Sequence, residues 1–534
     1  MKRIYKITQV ALFGAFIVGC TDLDTAPLSS TITADQKEDV VAADPSKIEA
    51  SVTAITANFT QYAKIYTEDD NVHSDIGYPT IMLATDSRTT DFVADITGYN
   101  WYSNSANYSD CLSTSTATIE FWGTLYNQIY TANAVIGTVD NETSDSTLQF
   151  YLAQALAIRA FDYFTLVQLY QFNYKGHEDA PGVPIITSEN AEEVAANGCA
   201  RSTVKETYEF ILGDLNKAIE LLANTKKTRS DKRYVSLDVA YGIRARVHLT
   251  MHNYADALKD AEAALASTSS VPYSSAAVSK PTFIDIEDAS WMWGILITDK
   301  DRVSTTGICN FPSHMGSLNY GYASVGGWRR ISPKLYNQIP ESDVRKGWFL
   351  DDTGVSVNLP AAAQAYITKK GAPVYTQVKY GPMNDEWGSN NNATDVILMR
   401  VEEMYLIKAE AQAMNNDVSG GVNTLNSFVN TYRDPSYKCT ATTGEAVQEA
   451  VWHQRRIEFW GEGLAYFDIM RLNKGVNRLG CGFPKTAVFN IAAGDPVQIY
   501  SIPNKEVQYN PLLENNPLVS APTPICLLYT SDAA

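Results

Sequence analysis

Two stretches concentrate the side chains best suited to hold a ligand. GYNWYSNSANY (98–108) supplies Tyr99, Asn100, Trp101 and Tyr102, and LNYGYASVGGW (318–328) supplies Tyr320, Tyr322 and Trp328. Gly, Ser and Asn fill the spaces between, so these rings ride on loops rather than on packed helix faces. A flat ring covers the apolar C–H face of a pyranose, while polar groups such as Asn100, Asn104, Asp86 and Arg88 bond its hydroxyls. Any one ring could instead pin its own loop; Trp101 and Trp328 are the first choices for contact. Trp122, Trp452 and Trp460 fall on amphipathic helices and are expected in the core.

Spacing argues against most other chemistry. His248 and His252 stand four apart on an expected helix, but Leu-Thr-Met separates them and supplies no glutamate base, so a packed or surface pair is expected rather than zinc. EDDNVHSD (68–75) has oxygen ligands without the central glycine of a calcium loop, and reads as a solvated acidic loop. No G-x-S-x-G elbow or phosphate-binding loop occurs. A glycosidase carboxylate pair is defined by its spatial separation, and a count of 60 acidic residues does not select one. No catalytic residue, metal ligand or cofactor is assigned. The charges of Arg400, Glu402, Glu403, Glu410, Arg455, Arg456, Glu458, Glu462, Asp468 and Arg471 alternate along helical segments and predict intramolecular ion pairs and caps.

Lys2, Arg3 and Lys6 precede an apolar run from Val10 to Val18, followed by Gly19 and Cys20. This order describes a signal peptide over 1–19, with an apolar run too short to span a bilayer. Its Ile-Val-Gly-Cys ending resembles a bacterial lipobox, placing a lipid anchor on Cys20; each methylene buried in the membrane contributes about 0.8 kcal/mol. No second apolar run of about 18 residues follows. The formal charge is −18 over 534 residues, which argues against nucleic acid as a partner. The seven cysteines lack metal or redox spacing and impose no disulfide framework.

The elements that must position the aromatic loops are helical. Pro-free, periodically apolar segments predict helices over 118–139, 147–170, 203–223, 236–250, 254–266, 399–415, 419–432 and 444–460, with a short one in LAYFDIMRL. In the second, Gln154, Arg159, Asp162, Thr165 and Gln168 form a thin polar stripe, expected to be wet or paired. Tyr241, Ala245, Ala257 and Ala264 occupy the aromatic and small positions of a degenerate tetratricopeptide hairpin, with Arg244 where leucine is usual. Helical periodicity disappears between 267 and 395, and VQIYSIP reads as a strand.

Four segments together resemble the SusD/RagB family of Bacteroidetes surface lipoproteins: AQALAIRAFDYFTLVQLY (153–170), DVILMRVEEMYLIKAEAQA (395–413), HQRRIEFWGEGLAYFDIMR (453–471) and IPNKEVQYNPLLENNP (502–517). Ala465 departs from the third pattern, where arginine is common. The resemblance implies an all-α-dominated, tetratricopeptide-like scaffold with a loop-rich, minor-β ligand region. It also implies a non-catalytic protein that delivers oligosaccharide to a SusC-like TonB-dependent transporter at the outer membrane, exposed on the cell surface. An oligopeptide ligand, a surface glycoside hydrolase and a pure helical adaptor are the alternatives. The expected organisation is a signal (1–19), a lipidated tether (20–45), and one domain over 46–517. Within that domain the scaffold spans 115–266 and 396–475, and the binding region about 70–112 and 267–395. The tail 518–534 follows; its ICLLYTSDAA end, with Cys526, resembles read-through or a cloning scar.

Overall fold

The computed structural model describes residues 34–62, 72–305 and 307–525. The signal-like segment, Cys20, residues 68–71 of the acidic stretch and Cys526 lie outside the described residues. The principal helices are α1 (Ala34–Ala43), α2 (Glu49–Ala57), α3 (Tyr78–Ser87), α4 (Thr116–Ile136), α5 (Ser146–Tyr170), α6 (Val204–Asn224), α7 (Leu237–Thr250), α8 (Tyr254–Ser267), α9 (Val401–Met414), α10 (Val418–Tyr432), α11 (Gly444–Glu458) and α12 (Ala465–Arg471). Their starts follow cap chemistry. Ser115, Asp145 and Thr443 accept backbone N–H groups of the first turn, and Thr203 with Glu206 forms a capping box.

The helices from α4 to α9 pack successively on one another, and α10 and α11 both pack on α9. This is an all-α-dominated, tetratricopeptide-like stack. At α7–α8 the fully buried Ala245, Ala257, Ala261 and Ala264 allow close approach. Arg244, at the usual leucine position, forks onto Asp260 with two bonds of 2.7 Å, so an ion pair replaces an apolar contact. His248 lies 3.8 Å from the same Asp260, whereas His252 has left the helix at φ 59° and bonds the Arg471 carbonyl, so the pair lacks the helical i, i+4 geometry of a zinc site.

Residues 268–400 interrupt the stack in sequence, yet α8 and α9 touch. The strands β2 (Trp291–Ile295) and β4 (Val396–Arg400) close the root of this insertion by antiparallel pairing, Trp291 opposite Arg400 and Ile295 opposite Val396. Beyond that root the insertion can form loops without parting the helices.

Several expectations change. The polar stripe of α5 is buried throughout: Gln154 exchanges two hydrogen bonds with the backbone of Val235, and Arg159 forks onto Asp214. Among the described residues the Asp162 carboxyl on the same stripe has no hydrogen-bond partner, and burial drives it well above the carboxylate range. Part of the expected tether is helical, because α1 seats Val41 in the core. VQIYSIP forms no strand; Tyr500 and Ser501 instead donate their N–H groups to the carbonyls of Leu169 and Cys111. Trp122 and Trp460 are buried, but Trp452 is half-buried beneath Arg456 and Lys474. Val519 in the tail packs against the apolar cluster around Val488 and Phe489.

The alternating charges meet inside. Glu458 at the end of α11 accepts from Arg433 (two bonds of 2.8 Å), Arg400 (3.0 Å) and Arg345 (3.1 Å). Burial alone would raise its pKa, but the three guanidiniums hold it well below the carboxylate range. Glu402 accepts from Arg433 at 3.0 Å, and Glu462 receives Arg400 at 2.8 Å and Lys379 at 2.5 Å. A second set joins Arg246 to Glu403, Arg455 to Asp468, and Arg471 to both Asp468 and Glu410. Removing one member strands buried charge of the other sign, which typically costs about 3–5 kcal/mol. Glu458→Ala is therefore expected to lose stability on that scale in a denaturant titration; a loss below about 1 kcal/mol would show that the network is not stabilising the junction.

Candidate functional site

The two aromatic loops meet because β1 (Phe92–Ala94) pairs antiparallel with β3 (Arg329–Ile331), Ala94 opposite Arg329. Antiparallel pairing puts the loop leaving β1 beside the loop entering β3. Arg329 clamps them from within, donating to the His314 carbonyl at 2.9 Å and to Asn100 Oδ1 at 2.8 Å. Arg330 pairs with Asp95 at the edge. Two glycines permit the approach: a Cβ on Gly326 (φ +144°) would lie 2.7 Å from the Tyr99 ring, and one on Gly327 equally close to the Tyr99 carbonyl oxygen.

A ladder of rings rises from the interior to the surface. Buried Tyr102 meets His314 edge-on, with centroids 5.3 Å apart, and His314 stacks on Tyr322 at 5.1 Å and 18°. The Tyr322 hydroxyl lies 2.5 Å from His73 Nδ1, and the His73 ring stacks on Trp101 at 4.7 Å and 26°. The edge contact of Trp101 with Tyr322 (6.1 Å) closes the group. His314 Nε2 is bonded to the His73 carbonyl, tying the ladder's base to its top. Burial lowers His314 to about 3 and also lowers His73, while burial raises Tyr322. The top of the ladder is thus an uncharged aromatic platform at neutral pH.

The predicted site residues divide. Trp101 and Tyr322 are half-buried, and Tyr99 and Tyr320 are exposed, all on the two adjoining loops. Trp328, by contrast, is buried. Asn100 and Tyr102 are interior: Asn100 receives Arg329 and the Tyr102 N–H, because the clamp needs an acceptor there. Arg88 is fully buried, paired with Asp110 at 3.0 Å and lying over the Tyr500 ring. Asp86 is interior too, accepting the Gly463 N–H at 3.0 Å. These five side chains are not presented to solvent; of them, Asn100 and Tyr102 support the platform from below through Arg329 and His314. His73, His314 and Arg329 were not anticipated. His73 stood in a stretch read only for its acids, and nothing local marks a histidine 28 positions before Trp101 as its stacking partner.

Among the described residues no group of three or more His, Cys, Asp or Glu could hold a metal ion, and the described cysteines are unpaired. No helix there is long and apolar enough to cross a membrane.

A stack of helical hairpins carrying a loop-borne ring platform places the chain among scaffolded binding folds. Residues 35–249 match a SusD-like family described as starch-binding and associating with the outer membrane, and residues 341–518 match the SusD family. The chain belongs to the SusD/RagB family. SusD-like protein P2 of Formosa agariphila is 25% identical over 392 residues, 66% of this chain and 72% of that protein. A SusD-like carbohydrate binding protein from Bacteroides vulgatus superposes with a TM-score of 0.72 at 23% identity, covering 88% of this chain and 96% of that one. A SusD superfamily protein from Bacteroides thetaiotaomicron gives 0.71 at 22%, covering 89% and 99%. At these identities the two structures establish the shared fold.

The buried position of Asp86 has a measurable consequence. Burial raises its carboxyl to about 7, so the folded protein keeps a proton that the unfolded chain releases above about pH 4. The associated stability is fully present below about pH 4 and is lost as pH rises to about 7. Asp86→Asn keeps an acceptor for Gly463 and should gain on the parent by about 1.4 kcal/mol per pH unit across that window, then level off. Chemical denaturation at pH 5, 6.5 and 8 measures this; a pH-independent difference would mean that Asp86 is ionised in the fold.

Proposed function

We propose that this chain is a non-catalytic outer-membrane lipoprotein, anchored through Cys20 and exposed at the cell surface. In this role it captures an oligosaccharide and passes it to a SusC-like TonB-dependent transporter. The observation that carries this reading is the neutral platform of Trp101, His73 and Tyr322, flanked by exposed Tyr99 and Tyr320. Rings fixed by stacking lose little freedom on binding, and their faces suit the C–H face of a sugar. Family membership supports the carbohydrate class and the outer-membrane association. The charge of −18 supports neither nucleic acid nor an anionic lipid surface as partner. Asp95, beside the platform, is committed to Arg330, and Asp86 is interior, so neither is positioned as half of a hydrolytic pair. No cofactor is invoked.

Native electrophoresis through gels containing amylopectin, laminarin, mannan or arabinoxylan tests the reading. At least one polymer should retard the protein without release of reducing sugar. Trp101→Ala should weaken that retention about tenfold or more, the equivalent of about 1.4 kcal/mol. Trp328→Ala should lower the melting temperature and, at temperatures where it remains folded, retain binding. Retardation by no polymer, turnover of the glycan, or parent-like binding by Trp101→Ala would each overturn the assignment.

A further inference from the structure

A cavity opens in the insertion, built from residues that the platform does not use. It encloses about 480 Å³, within the range of small-molecule sites. Tyr336 and Tyr375 form its aromatic wall, with ring centroids 5.1 Å apart and planes inclined at 58°. Polar groups of the lining include Glu341, Asp351 and Asp352.

Two features mark this cavity as more than a surface crevice. Tyr375 holds φ +66°, a conformation that an aromatic residue adopts at a cost of about 1–3 kcal/mol. It is fixed there from both sides: its carbonyl accepts the Ile331 N–H and its N–H donates to the Leu350 carbonyl, each at 3.0 Å. β3, which brings the first platform's loops together, therefore also pins this tyrosine. The adjoining rim is equally fixed. Asp351 Oδ1 accepts the N–H groups of Thr353 (2.8 Å) and Val355 (3.0 Å), folding 351–355 into a tight turn that leaves Asp352 exposed.

The chemistry of the lining narrows the ligand. Lys346 pairs with Glu341 at 2.5 Å and covers the Tyr336 ring, and Arg345 neutralises Asp343, which leaves Asp351 and Asp352 as the net charge of the rim. A carboxylate or sulfate on a ligand would meet like charge at short range, whereas hydroxyls would meet acceptors beside a ring face. We propose that this cavity is a second saccharide-binding site, selective for neutral over acidic sugars. It rests on the carbohydrate-binding reading above and adds a second point of attachment. Two sites on one chain raise retention of a polymer beyond either alone, because the second contact becomes intramolecular.

The test uses the full-length protein and a heptasaccharide of whichever polymer retards it: maltoheptaose for amylopectin, or the matching heptasaccharide otherwise. Calorimetry should give two sites per chain for the parent and one for Trp101→Ala. The Trp101→Ala/Tyr375→Asn double variant should lose the remaining site by at least tenfold; asparagine tolerates the positive φ, and its melting temperature reports folding. Asp352→Ala in the Trp101→Ala background, at an exposed position that cannot disturb the core, should weaken the remaining site at least threefold. The C6-oxidised, uronate form of the same heptasaccharide (for arabinoxylan, whose xylose has no C6, the glucuronic-acid-substituted xylo-oligosaccharide) should bind Trp101→Ala at least tenfold more weakly than the neutral form. If Trp101→Ala retains no site while the parent binds, the second site is refuted and the platform reading stands. If the oxidised sugar binds equally well, the selectivity is refuted. Retardation by no polymer overturns both readings.

Discussion

Glu458 is a single carboxylate at the end of α11 on which three guanidiniums converge, none of them open to water. Each belongs to a different part of the chain: Arg345 to the insertion, Arg400 to the strand closing its root, and Arg433 to the residue ending α10. Taking these charges out of water costs several kcal/mol apiece, and a well-packed apolar cluster of equal volume would be as stable. The fork geometry adds what an apolar cluster would not, a defined register. The guanidinium planes accept few alternative positions of the carboxylate, so α10, α11, β4 and the insertion lock together in one arrangement. Lys379, which donates to Glu462 and to the Trp460 carbonyl, extends the same lock outward along the insertion.

The aromatic platform inherits its rigidity from that junction. Gln377, two positions before Lys379, donates its N–H to the Arg329 carbonyl, and Arg329 in turn holds Asn100 and the His314 carbonyl. A short path of backbone and side-chain bonds thus runs from the charge network to the loops bearing Trp101 and Tyr322. Loops rich in Gly, Ser and Asn have little order of their own. Here β1, β3 and the buried arginine supply it, and the rings can be presented at the surface without each burying itself for support.

The helical stack was legible because its signal is local. Periodic apolar residues and caps set α4 through α11 to within a few residues, and the small residues of α7 and α8 announced their close packing. The platform was half legible. Ring type and loop composition pointed to Tyr99, Trp101, Tyr320 and Tyr322, but the same logic drew in Asp86, Arg88, Asn100 and Tyr102, which are interior. A polar residue near an aromatic loop has the same letter whether it faces solvent or a buried guanidinium. What separates the two cases is a partner far along the chain: Asp110 and Val497 for Arg88, Gly463 for Asp86, Arg329 for Asn100. His73 was missed for the same reason, since its place is defined by Trp101 and Tyr322.

The use of arginine inside the fold bears on what the outside can bind. Arg88, Arg329, Arg345, Arg400, Arg433 and Arg478 are all fully buried. Of these, Arg329 and Arg478 find only carbonyl or amide oxygens as hydrogen-bond partners. Cations spent internally against neutral acceptors are withdrawn from the surface, while the chain as a whole carries 60 acidic against 42 basic residues. Buried acids outnumber buried cations among the described residues, so the exterior is less acidic than the net charge of −18 conveys, yet it remains negative. Against that background an uncharged ring platform is a local exception, and an anionic ligand would approach it through an unfavourable field. A neutral, hydroxyl-rich ligand pays no such penalty, and its attraction to the rings depends little on salt.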